Sequence, residues 1–391
     1  MAQVKTGLDL VSQRLNSYTG KRIAILAHAA SVTSKLHHLV SLLIQNSKIH
    51  FSKIFSPEHG LWGHAQDMEN VSYSIDPLSQ KPIISLYGRD FASLSPKTSD
   101  LHDVDILICD LQDVGARYYT FIYSMALCMR AAAKTKTKII VLDRPNPLNG
   151  KTIEGPILKK GFESFVGLYP LPVRHGMTLG ELALYFKDLD QSDCDLEIIP
   201  LKNWNRSSYF DETGLSWVLP SPNMPSLATT LVYPGACLIE ATQISEGRGT
   251  TRPFEFVGAP FINSFDLTHA LNKIKLPGVL FRPIHFCPTF QKLADLDCRG
   301  IQIHVKNRNQ YQPFLTGIAI LKTIFDLYPN HFEWRNTPYE FVSKIPAIDL
   351  LYGSNELRKH LEEKTPLTKI ASSWKKEEEE FKKTRRKYLL Y

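Results

Sequence analysis

Apolar positions in the first half of the chain fall in short continuous runs. They read RIAILA at Arg22–Ala27, IHFSKIF at Ile49–Phe55, IISLY at Ile83–Tyr87, VDILIC at Val104–Cys109 and KIIVL at Lys138–Leu142. Runs this short, and apolar at almost every position, predict strands of a parallel sheet covered on both faces. Between them the period changes. Lys35–Asn46 carries Leu36, Leu39, Val40, Leu43 and Ile44 at helical spacing, and a helix is predicted through Ile122–Lys134. His175–Phe186 predicts another, with Thr178 as N-cap and Glu181 three positions later as its capping-box partner. Leu196–Leu201 reads as a last strand. Strands alternating with helices place this half in the α/β class.

The second half is less regular. Pro220–Pro225 (PSPNMP) predicts a restricted, irregular loop. Glu240–Pro253 is dense in Gly, Thr and charge. Val279–Phe286 and Gly300–Val305 predict strands, and Phe314–Leu327 an amphipathic helix. The expected architecture is α/β: a parallel-sheet domain over 1–205 and a smaller α+β domain over 206–391. A length of 391 residues suits two domains.

Composition changes this picture little. Hydrophobic residues make up 43% and charged residues 22%, as in an ordinary globular protein. The formal net charge of +7 suggests a nucleic-acid or membrane partner only if it is local. The last 18 residues, Trp374–Tyr391, hold seven Lys/Arg and four Glu, which leaves only +4 for the rest. Trp374, Phe381 and Tyr388 lie seven apart there, the stripe of a packed terminal helix and not of a nucleic-acid arm. No apolar run approaches a membrane span. The opening residues lack a signal-peptide core, so a cytoplasmic setting is expected, or a periplasmic or secreted one if the N-terminus is trimmed. Six cysteines form no CxxC pair and no HExxH is present, so no metal is expected. No GxGxxG follows the first strand, so no dinucleotide cofactor is expected. Oligomeric state is left open.

In a parallel sheet, ligands bind beyond the C-terminal ends of the strands. Three acidic residues stand there, each opening a polar loop: Glu58 in PEHG, Asp110 in DLQDVGARYYT and Asp143 in DRPNPLNG. Glu58, fixed between Pro57 and His59-Gly60, is the preferred general acid. Arg117 is either a bidentate carboxylate clamp or the partner of Asp113 or Asp110. Arg144 and Asn146 carry the same ambiguity. His175 is a base, a ligand contact or a buried loop histidine. From the second half, Glu240 and Glu246 would bring a second carboxylate to the cleft, with Arg248 beside them. A carboxylate from each domain facing one cleft suits glycoside hydrolysis. Aromatic residues near these segments, Tyr87, Tyr118 and Tyr233 among them, suit a sugar face or a core.

The motifs SPEHGLWG (Ser56–Gly63), DLQDVGARYYTF (Asp110–Phe121), LDRPNPLNG (Leu142–Gly150), PVRHGMTLGELA (Pro172–Ala183), PSPNMPS (Pro220–Ser226) and YPGACLIEATQISEGRGTTRPFEFVGAP (Tyr233–Pro260) carry a resemblance over essentially the whole chain. The sequence resembles the bacterial DUF1343 or YbbC-like family of exo-β-N-acetylmuramidases. The resemblance implies a Rossmann-like first domain, a smaller second domain and an active site between them. It implies release of terminal, non-reducing N-acetylmuramic acid from peptidoglycan fragments, so that the partners are muramyl saccharides. It implies Glu58 as the acid and Glu240, Glu246 or His175 as the further catalytic group. Substrate contacts would come from His59, Asp110, Asp113, Arg117, Tyr118, Asp143, Arg144, Asn146, Glu154, Asn223 and Arg248. The sequence departs from the family pattern at His28-Ala29-Ala30-Ser31, Ala65-Gln66 and Ala241-Thr242-Gln243. Those departures leave a non-catalytic or differently specific carbohydrate-binding protein as the alternative.

Overall fold

The computed structural model describes residues 3–391. Its main sheet contains β1 (Arg22–Ala27), β2 (His50–Ser56), β3 (Ser74–Ile75), β4 (Pro82–Ser85), β5 (Ile106–Asp110), β6 (Lys138–Leu142) and β9 (Leu196–Ile199). The order across it is β3-β4-β2-β1-β5-β6-β9, parallel except for the edge strand β3. Chain order reverses between β1 and β5, the topological switch of a Rossmann-like sheet. Alternate residues serve opposite faces. Ile23, Ile25, Ile106, Ile108 and Ile140 enter one apolar cluster, and Ala24, Leu26, Leu107, Cys109, Ile139 and Val141 the other. That period of two, apolar on both faces, is why these strands read as continuous runs.

Helix α1 (Phe121–Thr135) follows β5, and α2 (Leu179–Leu189) precedes β9. Thr178 caps α2 and shares a capping box with Glu181, as the sequence predicts. The helix itself begins at Leu179, and His175–Met177 form the approach to it. The helix predicted over Lys35–Asn46 shrinks to Leu39–Ile44. Its first residues are drawn into a turn in which the Thr33 amide donates to the His37 carbonyl (3.0 Å) and Leu36 takes φ 63°.

A two-stranded sheet of β7 (Glu154–Ile157) and β8 (Pro172–Arg174) links the halves. The smaller domain is α+β, with an antiparallel sheet β10-β12-β11, formed by Phe256–Ala259, Cys298–Val305 and Val279–Phe286. Against it lie α3 (Leu227–Ala236) and α4 (Ser264–Ile274), and α5 (Pro313–Leu327) packs on both of these helices. One apolar cluster runs from Phe121 and Val141 through Ile239 and Phe254 to Ile301 and Leu321, so both halves share a core on that face. The stripe of Trp374, Phe381 and Tyr388 is buried, with α6 (Lys375–Thr384) packed on β7. No described helix is long and apolar enough to cross a membrane.

Helices α3 and α5 cross at Gly235 and Gly317. A Cβ on Gly235 would lie 1.9 Å from the Pro313 carbonyl oxygen, and one on Gly317 2.2 Å from the Gly235 carbonyl oxygen. Both obstacles are backbone, so neither can turn aside. Gly317→Ala is expected to cost about 1–3 kcal/mol by overpacking, read as a lowered Tm in thermal unfolding. An unchanged Tm would mean the crossing is looser than this.

Candidate active site

Beyond the end of β2 the chain turns through Pro57 and presents Glu58 into a small recess between the two halves. The Glu58 carboxylate accepts hydrogen bonds from the Thr120 hydroxyl (2.8 Å) and the Met68 amide (3.3 Å). Thr120 is the N-cap of α1, so this carboxylate lies at a helix N-terminus, where negative charge is favoured. His59 takes φ 70° and is held by a bond between Nδ1 and the Ala65 carbonyl (2.9 Å). With Nδ1 donating there, Nε2 is the nitrogen left for a ligand. The recess is completed on this side by Asp67, Tyr118, Tyr119 and Thr120.

The second half supplies Asn223, Tyr233, Glu240, Arg248, Tyr339 and Glu340. Arg248 is buried and bonded to Glu240 (2.9 Å) and Glu246 (3.0 Å), with Asp67 of the first half at 3.4 Å and the Phe254 ring beneath it at 4.8 Å. Burial opposes its charge, but these three carboxylates hold its pKa well above the usual arginine value. Glu246 also pairs with Lys292 (2.6 Å). Burial works to raise its pKa, yet Lys292 and Arg248 together hold it below the ordinary value. Glu246 therefore stays ionised. It lines not the recess but a wider groove that shares Asp67, Glu240 and Arg248 with it. Glu240 accepts a further bond from the Tyr339 hydroxyl (2.7 Å).

Several residues expected at the site lie elsewhere. Arg117 is fully buried and is no carboxylate clamp: its guanidinium donates to the carbonyls of Pro156, Leu171 (both 2.8 Å) and Leu351 (2.7 Å). Arg144 is spent in a buried pair with Asp110 (2.6 Å). Asp143 accepts from Thr178, the Gly180 amide and Tyr391, tying the start of α2 to β6; burial raises its pKa to about 6. Asp113 holds the Gly115 amide (2.7 Å) and faces the fully buried His175 at 3.4 Å. Asn146 bonds within its loop and to the Met177 carbonyl. Glu154 accepts from the Leu315 amide at the start of α5, its pKa pushed up by burial to about 7. Of the three strand-end acids, only Glu58 faces the recess. The reason is local: Asp110 and Asp143 find a guanidinium and a helix start before they reach the cleft.

His28, in one of the departing segments, is buried and neutral. Burial and the adjacent Arg144 push its pKa down to about 3. Its Nε2 accepts from the Gln112 amide (2.9 Å), and Nδ1 faces the Pro220 carbonyl at 3.3 Å. It thus braces the Pro220–Pro225 loop that presents Asn223.

The sequence did not single out Glu340. It sits with Phe341 in a two-residue turn closed by reciprocal bonds between Tyr339 and Val342 (both 2.9 Å). Both turn residues have positive φ, 45° and 67°, a geometry that favours Gly or Asn. The only signal for such a turn is a glycine or asparagine, and Tyr-Glu-Phe-Val has neither. Among the described residues, no group of three or more His, Cys, Asp or Glu could hold a metal ion.

A Rossmann-like sheet joined to an α+β domain, with a carboxylate-lined recess between them, marks a candidate small-ligand site. Matches to known proteins make this specific. Residues 23–228 match the model of the exo-β-N-acetylmuramidase NamZ N-terminal domain, and 231–391 that of its C-terminal domain. The chain therefore belongs to the NamZ (DUF1343) family. It is 45% identical over 390 residues to the peptidoglycan β-N-acetylmuramidase NamZ of Bacillus subtilis strain 168, covering 100% of this chain and 92% of that one. Two DUF1343 family crystal structures from Bacteroides fragilis NCTC 9343 share the fold over the full chain. One has TM-score 0.89 at 29% identity with all of its chain covered, the other 0.77 at 31% identity with 99% covered.

Because Arg117 satisfies three carbonyls, Arg117→Ala is expected to lower stability by about 3 kcal/mol or more, read as a lower denaturant midpoint. Any change in KM should be the same for muramyl and glucosaminyl substrates. A selective rise for muramyl substrates would return Arg117 to the site.

Proposed function

We propose that this protein is an exo-acting glycoside hydrolase that releases terminal, non-reducing N-acetylmuramic acid from peptidoglycan fragments. The observation that carries this reading is the recess at the end of β2, where Glu58 stands among buried aromatic and carboxyl side chains from both halves. Family membership and the name of the Bacillus relative support the substrate. The recess opens beside a wider groove that shares Asp67, Glu240 and Arg248 with it. Glu58 belongs to the reacting centre, and the buried polar groups around it are fixed before substrate arrives, as electrostatic catalysis requires.

Muramic acid differs from glucosamine by a lactyl ether that carries a carboxylate. With Arg117 and Arg144 engaged elsewhere, the cations facing the cleft are Arg248, Lys292 and Arg335. Arg248 and Lys292 are paired with carboxylates. Among the described residues, the Arg335 side chain bonds only to neutral groups: the Thr337 hydroxyl (2.9 Å), the Met68 sulfur and the Pro338 carbonyl. Its guanidinium lies over the Tyr339 ring at 5.2 Å, beside the recess. Arg335 is therefore assigned to the lactyl carboxylate.

Wild-type protein is expected to cleave a chromogenic β-N-acetylmuramide, and Glu58→Gln to lose about 10²–10⁴-fold in kcat. Binding without turnover in the wild type would favour a carbohydrate-binding role instead. Arg335→Gln should raise KM for muramyl substrates by about 10–100-fold, the value of a charge-assisted bond, and leave glucosaminyl substrates unchanged. Equal effects on both would remove Arg335 from recognition.

A further inference from the structure

The carboxylates of the cleft divide by what surrounds them. Asp67, Glu240 and Glu246 share the Arg248 guanidinium, and Glu246 has Lys292 as well. Glu58 and Glu340 have no ion-pair partner among the described residues. Their neutral surroundings differ. Glu58 takes two donors, Thr120 and the Met68 amide, at the N-terminus of a helix. Glu340 takes one, the Tyr87 hydroxyl at 3.0 Å, and lies 95% buried against Phe341, Tyr87 and Tyr339.

The groups facing Glu340 from the packed elements are mostly acidic. Glu58 and Asp67 come from the loops after β2, Tyr87 from beyond β4, and Glu240 from the segment after α3. His59 and Arg248 also line the recess, but Arg248 is already held by three carboxylates. The turn that carries Glu340 holds two consecutive non-glycine residues at positive φ, each at a cost of about 1–3 kcal/mol. Tyr87 anchors both, its ring against Phe341 at 5.5 Å and its hydroxyl on Glu340. The strained turn brings a second carboxyl into the recess that Glu58 lines.

We propose that Glu340 is the proton donor of this site and Glu58 its ionised partner, the reverse of the order suggested by the PEHG motif. This rests on the glycosidase reading above. Two carboxyls whose environments differ in this way separate into an acid and a base. Burial, and then the facing Glu58 charge, hold the Glu340 pKa well above the ordinary carboxylate value. In the reaction the Glu340 proton passes to the glycosidic oxygen as that oxygen's bond to the anomeric carbon breaks, and the bond's electron pair leaves with the oxygen. Positive charge building at the anomeric carbon faces the Glu58 carboxylate. Water then supplies hydroxyl to that carbon and a proton back to Glu340.

The test compares two leaving groups. A dinitrophenolate departs without a proton, whereas the sugar alcohol of a muramyl–glucosaminyl disaccharide needs one. Glu340→Gln is expected to lose about 10²–10⁴-fold on the disaccharide and to keep most of its rate on the dinitrophenyl muramide. Glu58→Gln should lose both. If Glu58→Gln spares the dinitrophenyl substrate and Glu340→Gln loses both, Glu58 is the acid and the proposal fails. Tyr87→Phe gives a second readout. Its hydroxyl favours the ionised Glu340, so its removal should move the alkaline limb of kcat/KM to higher pH, while a purely structural role would lower the rate equally at every pH. Should the wild type cleave neither substrate, the glycosidase reading falls. A carbon-13 titration of labelled glutamate carboxyls in the resting protein still decides the proton's seat: Glu154, Glu240 and Glu378 are also raised by burial, so the readout is which variant loses one of the high-titrating signals, Glu340→Gln if the proposal holds and Glu58→Gln if it does not.

Discussion

Arg248 is the charge on which the cleft depends. A guanidinium this deeply buried is costly unless compensated, and three carboxylates compensate it, one from the first half and two from the second. Asp67 lies eleven residues past the end of β2, whereas Glu240 and Glu246 flank the turn into the Gly-rich loop. The same ion cluster therefore fixes the PEHG loop relative to the second domain. Loss of the cation would leave like charges facing one another, and the recess could not keep its shape.

That cluster also divides labour among the acids. Glu240 and Glu246 were the natural choice for a second catalytic carboxylate, since they lie in the most polar segment of the second half. Glu246 is held ionised by Lys292 and Arg248 and is a poor source of protons, whereas burial raises the Glu240 pKa and its carboxylate is engaged by Arg248 and the Tyr339 hydroxyl. Freedom from cations, not polarity of the local sequence, marks the pair Glu58 and Glu340. The like charge of the cation-bound acids then acts on Glu340 from outside, so the structural cluster and the reactive pair are electrostatically linked.

What the sequence made legible follows the same physics. Strands buried on both faces are readable because every position must be apolar, and β1 and β6 match their predicted runs residue for residue. The α2 cap was readable because Thr178 and Glu181 act through adjacent backbone. Long-range pairing was not. DLQDVGARYYT looks like a ligand loop because it is polar, yet Arg117 and Asp113 are polar to satisfy a buried crossing of backbone carbonyls and amides. Helix α3 was obscured by Pro234 inside it. The Glu340 turn had no signature because it lacks Gly or Asn at its positive φ positions, and its partner Tyr87 lies 253 residues away in the chain.

The terminal segment shows why a charge count misleads. Residues 374–391 are basic, yet several of their charges face inward. Arg385 donates to the carbonyls of His175 and Gly176 (2.9 and 2.6 Å), just before α2, and Glu377 and Glu378 accept from amides of β7. Tyr391 bonds to Asp143 at the end of β6 (2.7 Å). A segment remote in sequence thus completes the polar accounting of the first domain, where three loops would otherwise bury unpaired backbone groups. Basic residues here are donors to carbonyls before they are surface charge, and the same holds for Arg117. In this protein an arginine in a conspicuous polar motif is more often the mortar between loops than a hand held out to substrate, and Arg335, in no motif at all, is the arginine that faces the cleft without a carboxylate partner among the described residues.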